Sequence, residues 1–215
     1  MSDLAKKLSH VYWIGGSPCA GKTSVARMLK EKYGFIYYKA DDEHPAHVER
    51  STEEQHPNMN RSRHLTWGEY WSARFSTVPV PRQVEESIGF YEEQFSMVVE
   101  DLLALPDTSP VLVEGSVVLP KKVAPLLADP NRAIWLFPTP DFQVKHYSQR
   151  EWIHHILKLT EDPDLAFQGW MEKEMGFARS VRESVKKYGF ESIQVDDSKS
   201  LKENFDAVRT HFDLH

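Results

Sequence analysis

Residues 16–23 read Gly16-Ser17-Pro18-Cys19-Ala20-Gly21-Lys22-Thr23, a match to the phosphate-binding pattern Gly-x-x-x-x-Gly-Lys-Ser/Thr. The pattern is informative only with a strand before it and a helix after it. Both flanks read that way. Val11-Tyr12-Trp13-Ile14 is short, apolar and β-prone, as a buried strand should be. Beyond the match, Val25, Met28, Leu29 and Tyr33 share one helical face, and Gly34 stops the helix. A strand, a Gly-rich turn and a helix N-terminus make a site for anionic phosphate: amides point inward, the helix dipole favours negative charge, and Lys22 adds a full positive charge. The residues expected to hold a nucleotide are Gly16, Ser17, Pro18, Cys19, Ala20, Gly21, Lys22, Thr23 and Ser24, with the Thr23 hydroxyl offered to Mg2+. The bland alternative is a chance match to a short pattern, and two correct flanks weigh against it.

Length and composition narrow the setting. A chain of 215 residues suits one domain with a large core, and 40% hydrophobic with 27% charged residues suits a soluble globular protein. No apolar run approaches the roughly 20 residues that span a bilayer, and residues 1–7 lack the apolar stretch of a secretory signal. Cys19 is the single cysteine, so a reducing compartment is expected and the protein is read as cytoplasmic. The net charge is −6 and no run of Lys/Arg exceeds two. A long polyanionic partner normally leaves a basic stripe, so neither nucleic acid nor membrane is an expected partner.

Along the chain, strands alternate with helices. Phe35-Ile36-Tyr37-Tyr38 reads as the second strand, Val111-Leu112-Val113 as the third, Ala133 to Phe137 as the fourth and Ser192 to Val195 as the fifth. Val84, Ile88, Tyr91, Phe95, Val98 and Leu102 repeat at helical spacing. One helix is expected from Thr139 to about Leu159, with Thr139 as N-cap, and another from about Leu165 to Tyr188. Gly169 and Gly176 weaken the early turns of the second. The last helix starts at Ser200, with Glu203 completing a capping box. This alternation indicates an α/β sandwich on a mostly parallel sheet, with ligand bound beyond the carboxyl ends of the strands. That rule gathers the phosphate loop, Asp41/Asp42, Glu114 and the start of the segment from Thr139 on one rim.

The layout resembles the P-loop small-molecule kinases, the group holding nucleoside monophosphate, shikimate and gluconate kinases and chloramphenicol phosphotransferase. The resemblance covers nearly the whole chain in element order, while motif identity is confined to Gly16–Thr23. It implies a three-layer sandwich with a five-stranded parallel sheet in the order 2-3-1-4-5, and one kinase domain over residues 1–215. It also implies an acceptor-binding insertion at about 43–105, a lid at about 139–188 carrying an arginine, and ATP with Mg2+ as cofactors.

Phosphoryl transfer depends on positioning and charge neutralisation. Lys22 and the loop amides would hold the β- and γ-phosphates. Glu114 ends an apolar strand where many P-loop proteins carry Asp, and could hold a magnesium-bound water; the plainer reading is a solvent-facing carboxylate. Asp41 and Asp42 follow the second strand, where shikimate and gluconate kinases look similar in carrying an Asp that receives or orients the acceptor hydroxyl's proton near the metal. Adjacent side chains on an extended chain diverge, so one serves, with Asp42 preferred weakly and a polar turn as the alternative. Arg150 is the first choice among the lid arginines, ahead of Arg179 and Arg182, since a guanidinium matches phosphate geometry.

Other features carry less. Trp67, Tyr70 and Trp71 could line a pocket for a ring-bearing acceptor, or simply face the core of a helix. His44, His47, His154 and His155 invite a metal, but no zinc set completes. Cys19 lacks a neighbouring base and reads as a small loop residue. The leading reading is ATP-dependent transfer to a hydroxyl of a small-molecule acceptor. A nucleotide acceptor would draw on Arg50, Arg61, Arg63, Arg74 and Arg82, though the Ser-x-x-Asp-x-x-Arg pattern like that of adenylate kinase is missing. A GTP-hydrolysing switch would need Asn/Thr-Lys-x-Asp and Asp-x-x-Gly, and neither occurs. A nucleotide-binding regulator without transfer stays open, as do the acceptor's identity, ATP against GTP, and the oligomeric state.

Overall fold

A computed structural model of the chain describes residues 2–64, 66, 74–75 and 77–215. Trp67, Tyr70 and Trp71 lie outside the described residues. In chain order the elements are α1 (Asp3–Lys7), β1 (Val11–Gly16), α2 (Lys22–Tyr33), β2 (Ile36–Lys39), α3 (His44–Arg50), α4 (Pro57–Asn60), α5 (Val80–Ala104) and β3 (Val111–Glu114). They continue with α6 (Pro120–Val123), β4 (Ala133–Pro138), α7 (Pro140–Ser148), α8 (Glu151–Leu157), α9 (Pro163–Tyr188), β5 (Ser192–Val195) and α10 (Leu201–His211).

The five strands form one sheet in the order β2-β3-β1-β4-β5, and every pairing is parallel. β3 and β4 are buried along their full length, as expected of strands covered on both faces. Alternate residues point to opposite faces and so divide the core in two. Val11, Trp13, Val113, Trp135 and Phe137 pack with Phe95, Val98 and Leu102 of α5 and Phe177, Val181 and Val185 of α9. Ile14, Leu112, Ile134 and Leu136 pack with Val25 and Leu29 of α2 and Phe205 and Val208 of α10. The result is a three-layer sandwich. No helix among the described residues is long and apolar enough to cross a membrane.

Element ends follow the sequence signals closely. Gly34 ends α2 in a left-handed conformation, and Ser200 with Glu203 forms the full capping box of α10. Thr139 is the N-cap of α7, although its side chain caps no amide. α9 runs unbroken through Gly176, where a Cβ would come within 2.7 Å of the Val84 side chain. That glycine lets α9 approach α5 closely.

The single helix expected from 139 to about 159 is two helices. Arg150 is extended (φ −87, ψ 116) and caps α8. An unbroken helix would set Tyr147 and Ile153 about 120° apart around its axis. The break instead brings Tyr147, Ile153, Ile156 and Leu157 into a third apolar cluster with Ala166, Trp170 and Met171 of α9 and with Phe75.

Trp13 of β1 stacks on Phe95 of α5 at 5.7 Å between ring centroids, and Phe95 is buried. Phe95→Ala is expected to lower stability by about 3–5 kcal/mol, the usual cost of emptying a buried aromatic site. Urea unfolding would measure it; a loss under about 1 kcal/mol would show that α5 does not brace β1 through this ring.

Candidate functional site

The phosphate-binding pattern forms a tight loop between β1 and α2. Gly16 has φ +121, and a Cβ there would sit 1.9 Å from the Leu136 carbonyl oxygen of β4, so no other residue fits. Cys19 (φ 65) and Gly21 (φ 74) are left-handed, the alternation that turns successive amides toward one centre. Among the described residues the amides of Cys19 to Ser24 donate to no backbone carbonyl. The Lys22 ammonium is buried and donates to the Ser17 carbonyl at 2.9 Å. Gln143 of α7 donates its amide to the Pro18 carbonyl at 3.0 Å. Inward amides around a buried ammonium fit a phosphate chain.

Glu114 does not face solvent. It is 1% exposed, and its Oε1 accepts from the Thr23 hydroxyl at 2.8 Å and from the Tyr37 hydroxyl at 2.9 Å. Burial, reinforced by the Glu114 charge, holds the Tyr37 phenol protonated well above its usual range. The Thr23 hydroxyl and the Glu114 carboxylate form an oxygen pair of the kind a Mg2+ ion and its waters accept.

Asp41 and Asp42 diverge. Asp42 pairs with Lys39 at the surface, its side chain 64% exposed. Asp41 lines a cavity of about 320 Å³ that opens beside the loop at Pro18. Rings of Phe90, Tyr91, Tyr147 and Trp152 line it, together with Arg150, Ser116 and the adjacent Lys173 and Glu174. His44, stacked on Phe90 at 5.0 Å, completes one wall.

Arg150 reaches this cavity because of the break between α7 and α8. Its guanidinium lies 4.9 Å from the Tyr147 ring centroid. Arg182 instead lies over Phe137, 4.8 Å from its centroid, and neither it nor Arg179 lines the cavity. Four of the five acceptor-side arginines are held by carboxylates: Arg50 by Asp101, and Arg61, Arg74 and Arg82 by Glu86. Arg63 donates to the Ser51 carbonyl. His47 is buried and bonded to Asp101 and Gln94, a structural role.

Several site residues carried no motif. Gln143 and Tyr37 act through single hydrogen bonds that no spacing announces. Lys173 and Glu174 were findable: Ala166, Trp170, Phe177, Ala178 and Val181 mark the buried face of α9, and positions 173 and 174 fall on it.

The sheet order, with the phosphate loop after its central strand, is the 2-3-1-4-5 arrangement that the sequence resemblance implied. No family model matches the chain, and no curated protein does. Among solved structures it is similar to a shikimate kinase from Acinetobacter baumannii in complex with shikimate. The two are 15% identical, with 95% of this chain and 94% of that one covered and a TM-score of 0.49. It is also similar to an uncharacterized protein from Eubacterium ventriosum at 14% identity, covering 94% of this chain and 97% of that one, with a TM-score of 0.42.

Burial pushes the Cys19 thiol up to about 11, outweighing the opposite effects of Arg150 and Lys22. Near neutral pH the folded protein should therefore react with iodoacetamide about 100-fold more slowly than an ordinary thiol, because thiolate is the reactive form. Unfolding in urea should restore the ordinary rate. Fast labelling of the folded chain would contradict the buried placement.

Proposed function

We propose that this protein is a kinase that transfers the γ-phosphate of ATP to a hydroxyl of a small-molecule acceptor. One observation carries the reading: the phosphate loop and a ring-lined cavity share a wall at Pro18, with Asp41 and Arg150 both on that cavity. A pure nucleotide hydrolase has no need of a separate cavity at this point. In this reading residues 1–215 are one kinase domain, 43–105 form the acceptor side and 139–188 the lid. Cytoplasmic location belongs to the same reading, resting on the lone thiol.

The loop amides from Cys19 to Ser24 and the Lys22 ammonium would hold the β- and γ-phosphates of ATP. Mg2+, when bound, would supply charge neutralisation for the phosphates. The Thr23 hydroxyl, and Glu114 through a water, are the groups that would hold it. Asp41, rather than Asp42, would accept the proton of the acceptor hydroxyl as its oxygen forms the new P–O bond. The bond from the γ-phosphorus to the bridging oxygen breaks and ADP departs. Arg150 would steady the charge on the phosphoryl group in passage, since it lines the cavity that opens beside Pro18 of the loop. A hydroxyl compound is favoured over a nucleotide acceptor because the arginines that would grip a second phosphate are held elsewhere: Arg61, Arg74 and Arg82 meet on Glu86.

ADP release from ATP, with and without a pool of sugars, polyols and ring-bearing alcohols, tests the assignment. Acceptor-stimulated release is expected. Hydrolysis that prefers guanine and ignores every acceptor would sink it. Lys22→Ala should cut transfer by roughly 10²–10³ or more without unfolding the chain, since its charge acts on phosphate. Asp41→Asn should lower kcat by about 10²–10⁴ with ATP affinity little changed, and Asp42→Asn should cost far less. Equal losses in the two Asp variants would refute the choice of Asp41.

A further inference from the structure

One buried side chain grips both ends of the stretch that carries Asp41. Gln94 of α5 is buried; its amide nitrogen donates to the Ala40 carbonyl at 3.4 Å and meets His47 Nδ1 at 3.2 Å. Asp41 and His44, which both line the acceptor cavity, lie between those two points. The Ala40 N–H is held as well, by the Glu114 carbonyl at 3.0 Å. A Cβ on Gly115 would come within 3.1 Å of the Ala40 Cβ and 3.8 Å of Asp41 Oδ1, so the Asp41 carboxylate lies beside the turn after Glu114. Among the described residues no side chain hydrogen-bonds or pairs with that carboxylate. Its backbone must place it.

The roles in this network follow from one backbone group. A carbonyl only accepts, so the Ala40 oxygen fixes which end of the Gln94 amide faces it. The amide nitrogen then also faces His47, whose Nδ1 must accept and whose ring proton must sit on Nε2. Nε2 lies 2.8 Å from Asp101 Oδ2. The same oxygen accepts from the Tyr38 hydroxyl at 2.7 Å, and Arg50 reaches Asp101 Oδ1 at 3.3 Å. His47 and Arg50 thus moor α3 to α5, and Gln94 ties the Ala40 turn to the same mooring. Such a clasp matters for chemistry, because a reacting group displaced by about 1 Å can lose on the order of 10²-fold in rate.

Resting on the reading of Asp41 as the proton acceptor of a kinase, we propose that Gln94 is a positioning residue for the transfer. By holding the Ala40 carbonyl and the His47 ring together, it fixes the backbone from which the Asp41 carboxylate reaches the acceptor hydroxyl.

Gln94→Leu removes both bonds with little change in volume, and Gln94→Glu keeps the shape but sets an acceptor against the Ala40 carbonyl. With the acceptor that most stimulates ADP release in the pool of sugars, polyols and ring-bearing alcohols, each variant should lower kcat about tenfold or more. Affinity for a non-hydrolysable ATP analogue should stay within about twofold of wild type. Because Gln94 acts through Asp41, adding Gln94→Leu to Asp41→Asn should cost no more than about twofold further. A full additional loss in the double variant, or an unchanged kcat in the folded single variants, overturns the proposal. The wild-type chain supplies a measurement free of any folding defect: nitrogen NMR of His47 should show a bare Nδ1 and a protonated Nε2, and the reverse tautomer overturns the network. ADP release that no acceptor stimulates in the wild type sinks the kinase reading, whereas stimulated release with additive losses sinks only the role of Gln94.

Discussion

The hydrogen bonds on Glu114 hold together the parts of this site that come from distant stretches of sequence. A carboxylate that is 1% exposed is costly to bury unless its lone pairs are taken up. One oxygen accepts both the Thr23 and the Tyr37 hydroxyls. Thr23 begins α2 just after the phosphate loop, Tyr37 lies in β2, and Glu114 ends β3. A single carboxylate thus fastens the helix that receives phosphate to two strands of the sheet. Parallel register sets Glu114 level with Ile14 of β1 and Lys39 of β2, which places it directly beneath the loop.

From that knot the cavity follows. β2 ends at Lys39, and the chain passes Asp41 within one turn of the rim. The α7–α8 break is fixed by the third apolar cluster, which gathers Tyr147 and Ile153 with Trp170, and it leaves Arg150 on the cavity beside Pro18. Gln143 closes the gap between the 139–188 segment and Pro18. Apolar packing places these groups; hydrogen bonds then fix their final angle. The division of labour is physical: apolar area drives association without direction, while polar pairs are directional and weak in net terms.

Most of the layering could be read from the sequence, because periodicity reports which face is buried. Trp13 fell within the first expected strand and Phe95 within the expected helical repeat, and Gly16 to Thr23 named the loop. What escaped was set by tertiary contacts. The interruption at Arg150 arises from where Tyr147 and Ile153 must pack, and neither Pro nor Gly marks it. The choice between Asp41 and Asp42 depends on Lys39, whose pairing with Asp42 is a matter of turn geometry. Glu114 looked like a possible surface carboxylate because its partners, Thr23 and Tyr37, lie 91 and 77 residues away. The buried Lys173–Glu174 pair was legible in principle, since both positions fall on the apolar face of α9.

The electrostatics of the rim resolve an apparent conflict between global and local charge. A chain of net charge −6 repels polyanions at long range, yet the loop is shaped for a chain of phosphates. Salt screens the long-range field beyond about 8–10 Å, so the local arrangement decides. Within that distance the phosphate side offers Lys22, Arg150 and inward amides in a setting of low effective dielectric, where each counts for more than it would in water. The cavity wall carries Asp41, Arg150 and the Lys173–Glu174 pair. Positive charge is therefore concentrated at the loop and on the wall beside it, where Lys22 and Arg150 lie.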